Sequence, residues 1–321
     1  MLMSKMLTPS EATEWLKCRD NFLILTHRRP DGDTLGCAGA LAVGLRELSK
    51  TAYVLENVEA TPRYAPFVND CWAPDGYAFE HIIAVDMAST DLFTENALQY
   101  KDRVSLCIDH HGSNTGYAEN LCLAPKAAAC GELVYEILML LNGKISEDSA
   151  KRLYVAVSTD TGCFSFGNVT PDTFSVAAKL AKAGAPVVRL NKSLFRSRSH
   201  GRVKLEGLLT SGIEFFFEGK VAIACITRDM IDSSSATEDD MDNIAEVASG
   251  IEGVCMGITI RELSAAKDCK ISVRSIEPYD SNALCKRFGG GGHKSAAGCT
   301  FNKTIAEIKS LLLDVLKEIF D

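Results

Sequence analysis

The run Val104-Ser105-Leu106-Cys107-Ile108-Asp109-His110-His111-Gly112 sets the reading of this chain. Its first five residues are almost wholly apolar, as in a strand buried on both faces. Three metal-competent side chains follow at once, and Gly112 opens a turn. A strand ending this way carries Asp and His to the carboxyl edge of a sheet. By itself a strand-end Asp is usually a cap, and a buried His usually a packing residue. The triplet gains meaning from the segments around it.

Working outward, Phe22–Thr26, Ala52–Leu55 and Ile82–Val85 are further short apolar runs. Between the first two, Leu35, Leu41, Leu45 and Leu48 recur at helical spacing in Thr34–Leu48. Ala127–Leu141 and Glu147–Val157 read as successive helices, and Thr170-Pro171-Asp172 caps another that ends near Gly184. Such alternation predicts an α/β fold: a mostly parallel sheet with helices on both faces. Composition turns rich in Lys, Arg and Ser over Asn191–Arg202. Domains are therefore expected at 1–190 and 213–321, with 191–212 as a partly helical connector. The second half predicts strands at Ile213–Phe217, Val221–Ile226, Val254–Arg261 and Cys269–Ser275. Asp232–Asp240 reads as a polar loop, and helices are expected at Met241–Ala248, Asn282–Arg287 and Ile305–Ile319. This is a second, smaller α/β domain with a mixed sheet.

The 321 residues are 46% hydrophobic and 24% charged, an ordinary globular composition. Met1-Leu2-Met3-Ser4-Lys5 leads straight into polar, helix-capping sequence, and the apolar stretch Leu133–Leu141 is too short to cross a bilayer. No membrane association is expected, and a cytoplasmic location follows by default. The twelve cysteines are scattered, none as Cys-x-x-Cys, so they read as reduced, mostly buried thiols and not as a zinc site. The net charge of −8 argues against coating long duplex nucleic acid. Short phosphorylated ligands remain open to an acidic protein that carries divalent ions.

Four clusters offer the ligands for such ions. His27-Arg28-Arg29-Pro30-Asp31-Gly32-Asp33 follows the first strand, and Pro30 and Gly32 break the backbone so that two carboxylates can converge. A turn with Asp33 as helix cap would explain one Asp, less easily two with a His. Asp86 ends the run Ile82–Val85, where an N-cap is the plain alternative. Asp109-His110-His111 is the third cluster, and Asp160 closes an apolar helix-like stretch where an unpaired carboxylate would be costly. A shell rich in Asp, with His27 and His110 and without Cys, suits manganese or magnesium. Two such ions about 3.5–4 Å apart are the usual apparatus for in-line attack on a phosphoester. A fifth segment, Gly289-Gly290-Gly291-Gly292-His293, lies between a helix and a strand. It lacks the glycine a P-loop places before its Lys, but its backbone can approach a phosphate or base closely. Arg274, at a strand end, can fork onto a phosphate, though a surface Arg is the plainer reading.

These five segments, in this order, resemble the DHH phosphoesterase family over nearly the whole chain. His27, Asp31 and Asp33 look like its first motif and Asp86 its second. Asp109-His110-His111 resembles the naming triplet, and Asp160-Thr161-Gly162 the fourth motif. Gly289–His293 with Ala296-Ala297-Gly298 is similar to the signature of the DHH-associated C-terminal domain, which separates this branch from the family's pyrophosphatases. Length is that of the compact NrnA-type branch, which degrades short RNA and dephosphorylates 3′-phosphoadenosine 5′-phosphate. Cys37 stands where relatives commonly have Ser.

The resemblance implies two divalent ions, manganese with magnesium as the alternative. One would be held by His27, Asp31 and Asp86, the other by Asp33, Asp86, His110 and Asp160, with an activated water attacking phosphorus in line. It implies that His111 touches the scissile phosphate and that Asp109 orients His110. Arg274, Ser275, Gly289, Gly290, Gly291, Gly292 and His293 would grip the far nucleotide. The expected partners are short RNA oligonucleotides and small phosphorylated nucleotides. Cyclic-dinucleotide hydrolysis, pyrophosphate hydrolysis and a silent nucleotide-binding module are the alternatives. The oligomeric state is left open.

Overall fold

The computed structural model describes residues 4–241, 243–263 and 268–320. It divides into two compact units, 1–197 and 198–321. The division falls within the segment expected to connect two domains. The second part of that segment is a helix of the second unit.

The first unit is built on a six-stranded, wholly parallel sheet. Its strands are β1 (Lys5–Met6), β2 (Phe22–Leu25), β3 (Ala52–Val54), β4 (His81–Val85), β5 (Val104–Asp109) and β6 (Asn120–Leu123), in the order β1-β6-β5-β4-β2-β3. Its helices are α1 (Pro9–Lys17), α2 (Gly32–Arg46), α3 (Cys130–Asn142), α4 (Glu147–Asp160), α5 (Pro171–Lys182) and α6 (Val187–Asn191). The apolar runs read as strands are strands, buried as continuous apolar sequence requires. β1 and β6 were not foreseen, although Leu121-Cys122-Leu123-Ala124 is itself a short apolar run.

Helices α1 to α4 pack on one face, over Phe22, Ile24, Ile83, Val85, Leu106 and Ile108. The other face is covered by 3-10 turns at Thr90–Leu92 and Glu95–Tyr100 and by aromatic loops that include Phe93 and Tyr117. Helix α2 is buried almost all round, because α4 closes over its outer side. Gly36 makes that approach possible: a Cβ there would stand 2.5 Å from the Arg152 carbonyl oxygen.

Strand order reverses between β2 and β4. The chain runs outward from β2 to β3 on one side and from β4 through β5 to β6 on the other. Open α/β sheets bind ligands outside the carboxyl ends of the strands at such a point. His27 and Asp86 lie just beyond the ends of β2 and β4.

The second unit has a mixed sheet. Its elements are α7 (His200–Ser211), β7 (Glu214–Phe216), β8 (Val221–Ile226), α8 (Arg228–Ser234), α9 (Glu246–Ser249), β9 (Met256–Glu262), β10 (Asp268–Ser275), α10 (Ser281–Lys286), β11 (Gly291–Gly292), β12 (Ala296–Asn302) and α11 (Ile305–Phe320). Strand order is β11-β12-β10-β9-β8-β7, with only β8 and β9 parallel. Alternation along β8 sends Val221 and Ile223 toward α10 and α11, and Ala222, Ala224 and Ile226 toward α7 and α8.

Two expectations fail locally. The polar segment from Asp232 begins inside α8, whose cap is Thr227. The helix expected at Met241–Ala248 is a 3-10 turn, Glu238–Met241, followed by the single turn α9, with Asn243 in the left-handed region between them. Residue 242 lies outside the described residues, as do 1–3, on which part of the reading of the N-terminus rested. No helix among the described residues is long and apolar enough to cross a membrane.

Candidate active site

The chain leaves β2 through Thr26 and His27 and bends at Arg29, whose φ is 51°. Asp31, and not Asp33, then caps α2: its Oδ1 accepts from the backbone N–H groups of Asp33 and Thr34 at 3.0 and 3.1 Å. That frees Asp33 to point inward, where it is fully buried. Its carboxylate takes the N–H groups of Cys130 and Gly131 at 2.7 and 3.0 Å. It thereby caps α3, whose own N-cap, Ala129, has no side-chain acceptor. The Cys37 thiol donates to Asp33 Oδ1 at 3.1 Å, so this departure from the family's usual Ser touches the site directly.

Asp86 follows β4 in the left-handed region, φ 54°, and caps no helix. Thr34 Oγ1 donates to the Val85 carbonyl at 3.1 Å and fastens α2 to this strand end. Asp160 is the last residue of α4.

These segments bring six expected ligands together. His27 Nε2 lies 3.7 Å from both Asp31 Oδ1 and Asp86 Oδ2. His110 Nε2 lies 3.5 Å from Asp86 Oδ1, 3.4 Å from Asp160 Oδ2 and 3.9 Å from Asp33 Oδ2. Three groups of donor atoms, His27 with Asp31 and Asp86, Asp33 with His110 and Asp160, and Asp86 with His110 and His111, each fall within 4.8 Å of one another. These spacings exceed hydrogen-bond lengths. They suit donors around an ion, since two atoms each about 2.1 Å from one centre sit ~3 Å apart at right angles.

The imidazoles are turned for that purpose. His27 Nδ1 donates to the Arg28 carbonyl at 2.8 Å, and His110 Nδ1 to the Ala127 carbonyl at 3.1 Å. Each carbonyl takes the Nδ1 proton and leaves Nε2 facing the carboxylates, where it would offer its lone pair to an ion that displaced a proton. Asp86 Oδ1 is buried and has no hydrogen-bond partner among the described residues. An orphaned carboxylate oxygen 3.5 Å from both His110 Nε2 and His111 Nδ1, on a carboxylate whose other oxygen faces His27, fits a cation.

The electrostatics agree. Burial, followed by repulsion from Asp33, pushes the Asp86 carboxyl well above its ordinary range. Burial also raises Asp33. Burial, with the charges of Asp33 and Asp31, lifts Asp160 to about 9. Burial would lower the His27 imidazole, but Asp31 and Asp86 outweigh it and raise His27 to about 11. Uncompensated negative charge crowds the site, and bound divalent ions would relieve it.

One expected role is corrected. Asp109 does not orient His110. Its Oδ1 accepts from His111 Nδ1 at 2.8 Å and from the backbone N–H groups of His110 and His111. The ring of His110 has turned to the Ala127 carbonyl instead. The bond to Asp109 raises the His111 imidazole, and its Nε2 has no hydrogen-bond partner among the described residues. Asn114 completes this arrangement and was not foreseen. Its Nδ2 donates to Asp109 Oδ2 at 2.6 Å and to the Met87 carbonyl at 3.2 Å. The one available signal was its place in the turn opened by Gly112.

In the second unit Arg274 is half-buried and bonds the Val273 carbonyl. Ser275 is a second correction. It is buried, and its hydroxyl is taken up by Ser281 and by the carbonyls of Tyr279 and Lys294, so it ties the loop and presents nothing outward. Gly289 and Gly290 form the turn after α10, and Gly291 and Gly292 the short strand β11 of a hairpin. Gly291 pairs with Gly298 and Gly292 with Ala297, and His293 is exposed beyond them. A Cβ at Gly290 would stand 2.3 Å from the Gly298 carbonyl oxygen, so close packing demands glycine there.

Residues 21–157 match the DHH family, N-terminal domain, and residues 218–321 match the DHHA1 domain. The chain belongs to the DHH family. It is a DHH phosphoesterase, a hydrolase, with the DHHA1 domain in its second unit. Among curated relatives it is similar to the bifunctional oligoribonuclease and PAP phosphatase NrnA of Thermus thermophilus. Identity there is 29% over 278 residues, covering 86% of this chain and 83% of that one. Among solved structures, an exopolyphosphatase-related protein from Bacteroides fragilis shares the fold with a TM-score of 0.86 and 22% identity, over 97% of each chain. The exonuclease RecJ bound to manganese shares the DHH fold more distantly, with a TM-score of 0.51 and 14% identity, over 94% of this chain and 92% of that one.

Proposed function

We propose that this phosphoesterase hydrolyses short RNA oligonucleotides, down to pApA-type dinucleotides, to mononucleotides, and 3′-phosphoadenosine 5′-phosphate to AMP. Asp86 carries the reading. It faces both His27 and His110, and its buried Oδ1 has no hydrogen-bond partner among the described residues. The likeness to a relative named for both activities supports the substrates. His27, Asp31 and Asp86 would hold one divalent ion, and Asp33, Asp86, His110 and Asp160 the other, with manganese preferred over magnesium. Ions so held would supply a water acidic enough to act near neutral pH and would offset the charge that grows at phosphorus.

The remaining work falls to this chain's own groups. Asp109, held by Asn114, fixes His111 so that its Nε2 contacts the scissile phosphate and stabilises its charge. Residues 213–321 recognise the rest of the substrate through Arg274, the backbone of Gly289–Gly292, and His293. A net charge of −8 favours short substrates over long duplexes.

A kinetic panel with manganese tests the proposal, using 3′-phosphoadenosine 5′-phosphate, pApA, short RNA, a cyclic dinucleotide and pyrophosphate. AMP release from the first two with kcat/KM above the last two is expected. Turnover of pyrophosphate or the cyclic dinucleotide alone would refute it.

A further inference from the structure

Directly after Asp160 the chain makes an uncommon turn. Gly162, Cys163 and Phe164 all lie in the left-handed region, with φ of 54°, 56° and 65°. Two of them are not glycine, so the conformation is uphill and needs support from its surroundings. That support is visible. Thr161, fully buried, donates to the Val157 carbonyl at 2.6 Å and accepts from the Phe164 N–H at 3.2 Å. Its own carbonyl accepts from the N–H groups of Ser165 and Phe166. Asn168 donates to the carbonyls of Asp160 and Ala128 at 3.1 and 2.9 Å and closes the loop back onto the site.

The two aromatic residues of this loop part company. Phe164 turns inward, stacked on Phe174 at 5.6 Å and set against Tyr154 at 6.1 Å. Phe166 turns outward and is 46% exposed. It has no ring partner among the described residues. Its ring lies over the bare backbone of Gly162, where a Cβ would come within 2.3–2.7 Å of three ring atoms. Single exposed aromatics are common and carry no argument by themselves. Here the exposed ring is the product of a strained loop, tied by a buried threonine and a bridging asparagine to the carbonyl of Asp160.

We propose that Phe166 is a stacking platform for the nucleobase attached to the phosphate held at Asp160. This rests on the proposed function, since it takes the substrate to be a nucleotide. A flat apolar ring fits such a ligand well. Stacking on an aromatic face accepts every base, which suits degradation of RNA of mixed sequence. The platform gives a nucleotide an advantage over a phosphoester of equal charge that lacks a base. Phe166 thus acts in specificity and positioning and takes no part in bond breaking.

The test uses the whole chain with manganese and 2-aminopurine riboside 5′-monophosphate, whose fluorescence falls when its base stacks. Wild type and Phe166→Trp are expected to quench it. Phe166→Ala and Phe166→Leu should not quench it and should bind it roughly tenfold more weakly. In steady-state kinetics, Phe166→Ala should raise KM for pApA by a similar factor with kcat little changed. The rise should be confined to base-bearing substrates and absent with an abasic dinucleotide. Equal quenching by Phe166→Ala, or an equal rise with the abasic compound, would overturn the proposal. Failure of wild type to release AMP from pApA would instead sink the proposed function, while the quenching comparison would still report on the platform.

Discussion

Replacing Asp160 by asparagine is expected to stabilise the metal-free protein and to weaken the metal-loaded one. The reasoning starts from the carboxyl's rise to about 9, caused first by burial and then by the charges of Asp33 and Asp31. Above pH 3.8 the unfolded chain releases this proton while the folded chain keeps it. Stability therefore falls as pH climbs from about 4 toward 9. At ~1.4 kcal/mol per pH unit, the penalty is capped near 4 kcal/mol at pH 7 and near 2 kcal/mol at pH 5. The new amide is half-buried and recovers only part of this, because an imperfectly bonded amide costs about 1–3 kcal/mol itself. A net gain of roughly 1–3 kcal/mol at pH 7 is expected, falling through zero near pH 5 and turning into a loss of about 1–3 kcal/mol at pH 4. Urea unfolding in EDTA at several pH values measures it. Manganese should reverse the order. A ligand at a hundred times its Kd adds about 2.7 kcal/mol to wild type, and the variant has lost one ligand atom. Wild type proving the more stable form in EDTA at pH 7 would refute the reasoning. So would equal stabilisation of both forms by manganese.

Three further substitutions probe separate parts of the account. Asn114→Ala leaves Asp109 Oδ2 without its 2.6 Å donor; it should cost about 1–3 kcal/mol in urea unfolding and lower kcat more than it alters KM. Gly290→Ala drives a Cβ against Gly298 and Cys299. It should destabilise the protein by roughly 1–3 kcal/mol, read by thermal unfolding. Arg274→Ala should raise KM for pApA by roughly 10- to 100-fold, the loss of one charge-assisted bond, with kcat nearly unchanged.

The parts of the site that sequence revealed are those fixed by local order. A buried parallel strand must be continuously apolar, so Phe22–Leu25, His81–Val85 and Val104–Asp109 announced both themselves and their carboxyl ends. The residues just past those ends, His27, Asp86 and His110, were therefore legible as a group. What escaped depends on contacts between distant segments. Asp33 caps a helix that begins 97 residues later, and no local pattern could assign that role. The partner of Asp109 was misjudged because the competing acceptor for His110 is a backbone carbonyl, Ala127, which leaves no mark in side-chain spacing. Ser275 looked available because its strand is plain, whereas burial against Ser281 is a property of the folded loop between β10 and α10. The helix α8 was missed because its seven residues are mostly polar and its stability comes from packing Ile231 beneath them.

The paired ion site is the centre of the account, and one measurement addresses it directly. Crystals grown with manganese should give two anomalous peaks per chain at the manganese edge. One should lie among His27, Asp31 and Asp86, the other among Asp33, Asp86, His110 and Asp160, with Asp86 contacting both. A single peak, or two peaks that do not share Asp86, would contradict it.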